Sequence, residues 1–519
     1  MGRLRGLAER LRAHAPRLAL VVDAFAGVSV ALLVIPQSLA YARVAGMPAY
    51  IGLYAAALPP LVAGFFASSP YLQPGPAAIP ALMTAGALAG MAAPGSPEYV
   101  GLAALLALVV GGMRIGIGVM RLGRIVYMMS EPVLLGFTTG AAMLIVLSQL
   151  PPLFGVEVGA AGPLPGALQT LLRPGDWKLE TMLIAAATFL VIVSARRIHA
   201  LIPWAVIVTA GGLAYSEIAG YTGSVVGEIP EGLMPLRIAF PWSSLPDLVL
   251  PGFIIALVGF AEAASIARVF AVMDRHVWDP DRDFISQGAA NVAAAVSGAF
   301  PVGGSFSRSS LSRLLGATTA RAGIVTGLTV LLFLPFASTL SPLPTAVLSG
   351  VVIAAVVGLI RIRPIIAMWP LSKAQFMVAA GTVVMTLVLS PRVDQAVILG
   401  ILTAVGVHLW REFNLKVVSW TEDSVLHVRP EGVLWFGSAE ALEQDVIALV
   451  AEHREAKKLI LHMERVGRVD LTASLTLERL VMRARGAGLE TDVVAVHPVT
   501  ARALRRVLAQ QRLDRSHLP

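Results

Sequence analysis

Arg308 closes the stretch A299-F-P-V-G-G-S-F-S-R308, deep inside a long apolar region of the chain. A guanidinium at lipid depth costs about 2.5 to 3.5 kcal/mol on insertion scales, so such a residue ordinarily faces an aqueous path. Pro301, Gly303 and Gly304 precede it, and Ser305, Ser307, Ser309 and Ser310 surround it. A helix starting after those breakers presents free N–H groups and a positive dipole end. Non-helical backbone at that depth needs cover from protein or a water-filled cavity. Together these residues outline an anion site. The competing readings are an arginine that snorkels to the surface and one paired to a carboxylate such as Glu262. A matching stretch lies far upstream, where Pro74, Gly75 and Pro76 precede a short apolar run from Ala77 to Ala92. Two short Gly/Pro-interrupted segments, one in each half of an apolar chain, point to the binding site of an inverted-repeat transporter.

Glu262 sits in the apolar run I254-I-A-L-V-G-F-A-E-A-A-S-I-A267. A carboxyl there can take up a proton and release it on the other side. It could equally be a charged partner of Arg308 or a neutral hydrogen-bonding acid. Sodium is the rival coupling ion, but hard cations take several oxygen ligands and Glu262 with Ser265 is a thin set, so a proton is preferred. Gln37 follows Pro36, whose ring removes a backbone hydrogen bond. Its amide could donate to a substrate or satisfy the freed carbonyl. Tyr41 reads as core on periodicity alone. Gly111-Gly112 and Gly211-Gly212 read as close helix packing, and His408 and Trp410 as interfacial anchors.

The elements that hold these residues follow from composition. Of 519 residues 56% are hydrophobic and 14% charged, and mean hydropathy is +0.76. A soluble domain carries about 25% charged residues, so this is a polytopic membrane protein. The net charge of +8 is spread over short loops, which fits the positive-inside rule and not a nucleic-acid stripe. There is no cysteine, hence no disulfide or thiolate chemistry, and the scattered histidines show no metal-ligand spacing. No cofactor is expected. Spans of about 20 residues divide the chain as far as Glu412 into roughly fourteen candidates. They include Val133 to Leu150, closed by Pro151 and Pro152 and followed by a Gly/Pro-rich link from Phe154 to Gly175, and the short Ser307 to Leu315. Basic loops at Arg121 and Arg124, Arg196 and Arg197, Arg275 and Arg282, and Arg361 and Arg363 put both termini inside. Arg3, Arg5, Arg10, Arg12 and Arg17 form a cytoplasmic lead-in over 1–20, read as amphipathic or as a disordered tail and not as a signal peptide.

From Ser424 onward short apolar runs alternate with charge. Val425 to Val428 and Val433 to Phe436 are predicted strands about a Pro430-Glu431-Gly432 turn. A helix over Ala439 to His453, a strand over Leu459 to Met463, a helix over Leu475 to Ala487, a strand over Val493 to Val496 and a helix over Ala501 to Leu508 complete a cytoplasmic α/β domain of about 95 residues.

The segment I35-P-Q-S-L-A-Y-A42, with G46-M-P, I51-G-L-Y54, G75-P76, G259-F-A-E262 and G303-G-S-F-S-R308, resembles the sulfate permease family, the relatives of the mammalian solute carrier family of multifunctional anion exchangers. The last domain is similar to the STAS domain that closes those proteins. The resemblance implies a seven-plus-seven inverted repeat over 21–415, with a core of spans 1–4 and 8–11 and a gate of spans 5–7 and 12–14. The third and tenth spans would meet as half-helices at the substrate, and a STAS domain would occupy 424–519. It implies substrate-binding roles for Gln37, Tyr41, Gly75, Ala77, Phe306, Ser307 and Arg308, and a protein that dimerises. D470-L-T-A-S474 lacks the Gly and flanking Ser of the phosphorylatable motif in related STAS proteins, which argues against a phospho-switch at Thr472.

The expected function is secondary active transport of a small anion, a dicarboxylate, sulfate or bicarbonate, coupled to protons by motion of core against gate in a bacterial plasma membrane. The alternatives are a passive anion channel, a sodium-coupled symporter, a nucleobase permease of the same general fold, and a membrane sensor signalling through the STAS domain. No enzymatic activity, metal or nucleic-acid partner is expected.

Overall fold

The computed structural model describes residues 16–159, 162–198, 203–413 and 415–494. Most of the expected lead-in and the helix expected over Ala501 to Leu508 lie outside the described residues. The chain enters α1 (Pro16–Val44), then α2 (Ile51–Ala63), the short α3 (Ala78–Ala87), α4 (Pro97–Val119) and α5 (Glu131–Ser148). The brief α6 (Leu150–Phe154) and α7 (Pro163–Leu171) lead to α8 (Leu179–Ile198) and α9 (Trp204–Ala219). The second half holds α10 (Leu245–Asp274), α11 (Pro280–Val296), the short α12 (Phe306–Leu314) and α13 (Arg321–Phe333). It closes with α14 (Thr345–Val356), α15 (Ile362–Ala367), α16 (Lys373–Val388) and α17 (Val393–Phe413).

Each expected span falls on a helix. Among the described residues seven helices are long and apolar enough to cross a membrane by length and composition, and shorter apolar helices lie between them. Caps set several of the boundaries. Ser96 accepts the Tyr99 N–H at the start of α4 with Pro97 in the first turn, and Asp279 accepts the Asp281 and Arg282 N–H groups ahead of Pro280. Pro151 and Pro152, expected to end a span, instead occupy the first turn of α6, where a missing N–H breaks no helical bond. The expected Gly/Pro link carries the helix α7. The expected short run to Ala92 is helical only to Ala87, and Gly90 turns out of it at φ 82°.

Small residues bring the helices close. A Cβ on Gly111 would lie 2.8 Å from Val292, and one on Gly288 would lie 2.7 Å from Ile115, so α4 and α11 touch backbone to backbone. A Cβ on Gly212 would meet Val347 at 2.5 Å, whereas Gly112 and Gly211 face open space. One member of each expected glycine pair therefore packs.

Contacts divide the chain into two compact units, the second beginning at Leu402. The second unit contains a five-stranded sheet of order β1-β2-β3-β5, with β4 also pairing β2. The strands are β1 (Lys416–Glu422), β2 (Val425–Leu434), β3 (Lys458–His462), β4 (Val466–Val469) and β5 (Glu490–Val494). Two helices, α18 (Phe436–Glu452) and α19 (Leu471–Gly486), cover a core of Leu426, Val428, Leu442, Val446, Leu459, Leu461 and Leu477. The turn expected at Pro430-Glu431-Gly432 is absent from this described region, because β2 runs straight through it, with Pro430 opposite Val417. Pro430 falls in the gap between the β3 ladder, which ends at Val428, and the β4 ladder, which begins at Gly432, so the second side of the strand has no ladder there to interrupt. A bulge at Gly432/Val433 absorbs the change of partner.

Candidate functional site

The two broken segments meet. The Gly75 N–H donates to the Gly303 carbonyl at 3.1 Å and the Gly303 N–H to the Gly75 carbonyl at 3.0 Å, a single antiparallel bridge. Past the bridge each strand runs extended for two more residues and then turns into a half-helix, at Ala77 (φ −140°) into α3 and at Ser305 (φ −132°) into α12. Neither start is capped by a side chain. Alanine has no acceptor, and the Ser305 hydroxyl pairs with that of Ser307 at 3.1 Å. Both helix starts therefore keep first-turn N–H groups without a side-chain cap, and two dipole ends of one sign are held close together.

Arg308 locks this junction. It is 1% exposed, and its Nη1 donates to the Pro76 carbonyl at 2.5 Å and its Nη2 to the Gly303 carbonyl at 3.0 Å. One guanidinium thus spans both breaks, while its buried Nε has no protein partner. Gly75 makes room for it, since a Cβ there would stand 3.2 Å from Nη1. Sequence reasoning aimed this side chain at a substrate; the structure commits both Nη groups to backbone and leaves the charge unneutralised by any ion pair among the described residues. Its ionisable neighbours are Tyr41 on α1 and Glu262 on α10. Glu262 is partly buried and has no hydrogen bond or ion pair among the described residues.

The other expected residues divide. Tyr41, Gly75, Ala77 and Gly303 are buried around the junction. Gln37 is 1% exposed, and neither its amide oxygen nor its nitrogen has a protein partner. Gln37 lies on α1, against which both α3 and α12 pack, and the alternative of Gln37 satisfying the carbonyl freed by Pro36 is not what the structure contains. Ser307 is partly buried. Phe306 is half exposed, its ring 6.2 Å from that of Phe270. Sequence reasoning passed over Arg114, Asn291 and Asp23. The signal was available for the first, a charge inside the apolar span from Val100 to Val119. Asp23 accepts from the backbone N–H and hydroxyl groups of Thr318 and Thr319, at 2.6 to 3.3 Å, and so ties α1 to the loop after α12. Among the described residues no group of acidic, His or Cys side chains could hold a metal ion.

Two half-helices meeting end to end inside a helical bundle, with irregular backbone lining the junction, define a polytopic helical membrane transporter. The family model for the sulfate permease family matches residues 20–382, and that for the STAS domain matches 417–513. The chain belongs to the sulfate permease family, a family of membrane transporters and not of enzymes, and carries a C-terminal STAS domain. It is 31% identical over 393 residues to a probable sulfate transporter of Arabidopsis thaliana, a match covering 73% of this chain and 58% of that relative. It is 28% identical to a probable sulfate transporter of Mycobacterium tuberculosis, over 96% of this chain and 93% of that one. In fold it is similar to the murine solute carrier 26 family member A9 anion transporter in the inward-facing state, with a TM-score of 0.86 at 22% identity, over 96% of this chain and 90% of the other.

Proposed function

We propose that this protein is a secondary active transporter that carries a small oxyanion or carboxylate across a bacterial plasma membrane together with a proton. The observation that carries the reading is the junction itself, where two uncapped amino ends and a guanidinium without an ion pair among the described residues gather positive charge. Sulfate is the first candidate substrate, from the names of the relatives; bicarbonate and dicarboxylates share its anionic oxygens. Glu262 supplies the coupling. With its carboxylate charged, the pair Glu262 and Arg308 sums to zero and an anion gains little; with a proton on it, the pocket is net positive. Proton and anion then favour each other's binding, and by linkage the effect is reciprocal. Gln37, Tyr41, Gly75, Ala77, Phe306 and Ser307 are the remaining proposed substrate contacts. Core against gate motion in a homodimer is the expected transport step.

The test is uptake into proteoliposomes holding the purified full chain, with labelled sulfate, bicarbonate and succinate offered in turn under imposed proton or sodium gradients. Uphill uptake driven by the proton gradient, lost in Glu262→Gln while anion exchange persists, is the expected outcome. Uptake that follows only the sodium gradient removes the proton, and large unitary currents without uphill uptake make the protein a channel.

A further inference from the structure

A second buried cation stands behind the junction. Arg114 on α4 is 0% exposed and has no carboxylate partner among the described residues. Its three nitrogens all donate to backbone: Nε to the Ala256 carbonyl at 3.1 Å, Nη2 to Ile255 at 3.1 Å and Nη1 to Val302 at 3.0 Å. Val302 immediately precedes Gly303, the residue that bridges to Gly75. It is gripped from another side by Asn291 on α11, whose Oδ1 accepts the Val302 N–H at 3.0 Å and whose Nδ2 donates to the Val302 carbonyl at 3.1 Å. Gly259 on α10 makes the space, because a Cβ there would lie 2.7 Å from Arg114 Nη2. That close approach gives the glycine of G259-F-A-E262 a physical reason. α4, α10 and the strand before α12 therefore meet at one guanidinium, and α11 holds the same strand through Asn291.

Burying a lone charge costs several kcal/mol, and an apolar side chain of similar volume would fill the space without that cost. What an apolar side chain cannot do is fix three carbonyls in direction. We propose that Arg114 is a positioning residue of the anion site: by holding Val302 against α10 it sets where the amino end of α12 stands relative to that of α3. The chain of contacts is short. Arg114 and Asn291 fix Val302, Val302 delivers Gly303, and Gly303 carries both the bridge to Gly75 and the carbonyl that receives Arg308. Without Arg114, Val302 keeps only the Asn291 grip, and α12 gains slack at its amino end.

The inference rests on the transport reading for one of its two measurements only. The first measurement is hydrogen–deuterium exchange of the full chain over residues 299–310 in Arg114→Met, Arg114→Lys and Gly259→Ala. Faster exchange there, with residues 416–494 unchanged, is expected in all three, least in the lysine variant. The second is the KM for labelled sulfate in proteoliposomes. Losing one charge-assisted bond is expected to raise it about tenfold with the maximal rate within about twofold, and Arg114→Met combined with Asn291→Ala should be less than additive. A wild-type chain that takes up none of sulfate, bicarbonate or succinate sinks the transport reading and leaves the exchange result standing. Unchanged exchange over 299–310 in the variants that fold overturns the inference. So does a sulfate KM that stays at the wild-type value while only the amount of folded protein falls.

Discussion

Replacing Arg308 with alanine removes a side chain that touches both breaks. The Gly303 carbonyl keeps the Gly75 N–H, but the buried Pro76 carbonyl is left without its donor. Stranding a buried acceptor costs about 1–3 kcal/mol, and a hydrogen bond from a charged group contributes about 1.5–3 kcal/mol net. If about 2 kcal/mol of this is felt by the anion-competent arrangement, the KM for sulfate rises by about thirtyfold, at 1.4 kcal/mol per factor of ten. Loss of the positive charge itself adds to that and weakens divalent anions more than monovalent ones. The assay is initial-rate uptake of labelled sulfate and bicarbonate into proteoliposomes, normalised to folded protein, with Arg308→Lys beside Arg308→Ala. A lysine ammonium keeps the charge yet lacks the fork that reaches two carbonyls 232 and 5 residues away in sequence, so it should fall between alanine and wild type. A sulfate KM within twofold of wild type in Arg308→Ala, at normal folded abundance, would refute the reasoning.

Other perturbations test neighbouring links. Gly304→Ala puts a methyl 2.8 Å from Leu72 Cδ1 and 2.9 Å from Ala263 Cβ, and overpacking of about 1–3 kcal/mol should lower the thermal midpoint and slow uptake together; an unchanged midpoint removes the clash. Asp23→Ala strips the Thr318 and Thr319 bonds and should speed proteolysis at the loop after α12, whereas wild-type resistance means the loop holds itself. In the STAS domain, burial first, and then the charges of His427 and Arg429 against the opposing pull of Glu464, hold the His462 ring below its ordinary value of 6.5. The unfolded chain then binds the proton more readily, so stability is full above about pH 6.5 and declines as pH falls below it. Amide exchange in β3 of the full chain, corrected for its intrinsic rate, should quicken from pH 7.5 to 5.5 in wild type and stay level in His462→Gln; equal behaviour of the two excludes His462.

How much was legible depended on the kind of signal. Spans were readable because lipid demands long apolar runs, and the breaks because Pro and Gly at that depth interrupt helices that lipid would otherwise keep whole. Arg308 and Glu262 stood out as charges among aliphatic neighbours. Arg114 carries the same signal, but its span shows no Pro-Gly break beside it, and its three carbonyl partners come from residues 141 to 188 positions away. The direction of Arg308 was hidden for a similar reason, since backbone carbonyls are acceptors in every sequence and only the tertiary path brings Pro76 to it. In the second unit, β1 escaped notice because its residues alternate little in burial. The missed length of β2 came from reading Pro430 and Gly432 as a turn when neighbouring strands change over at that point. Asn291 could be found only by asking which polar groups inside spans have extended backbone to satisfy.

The reciprocal bond between Gly75 and Gly303 limits how a cargo can change sides. Prising the two amino ends apart would tear that stitch between two buried glycines, so both ends must travel together as one cradle, and the walls around it must do the opening and closing. A permanent staple across the two glycines should therefore be silent to the passenger.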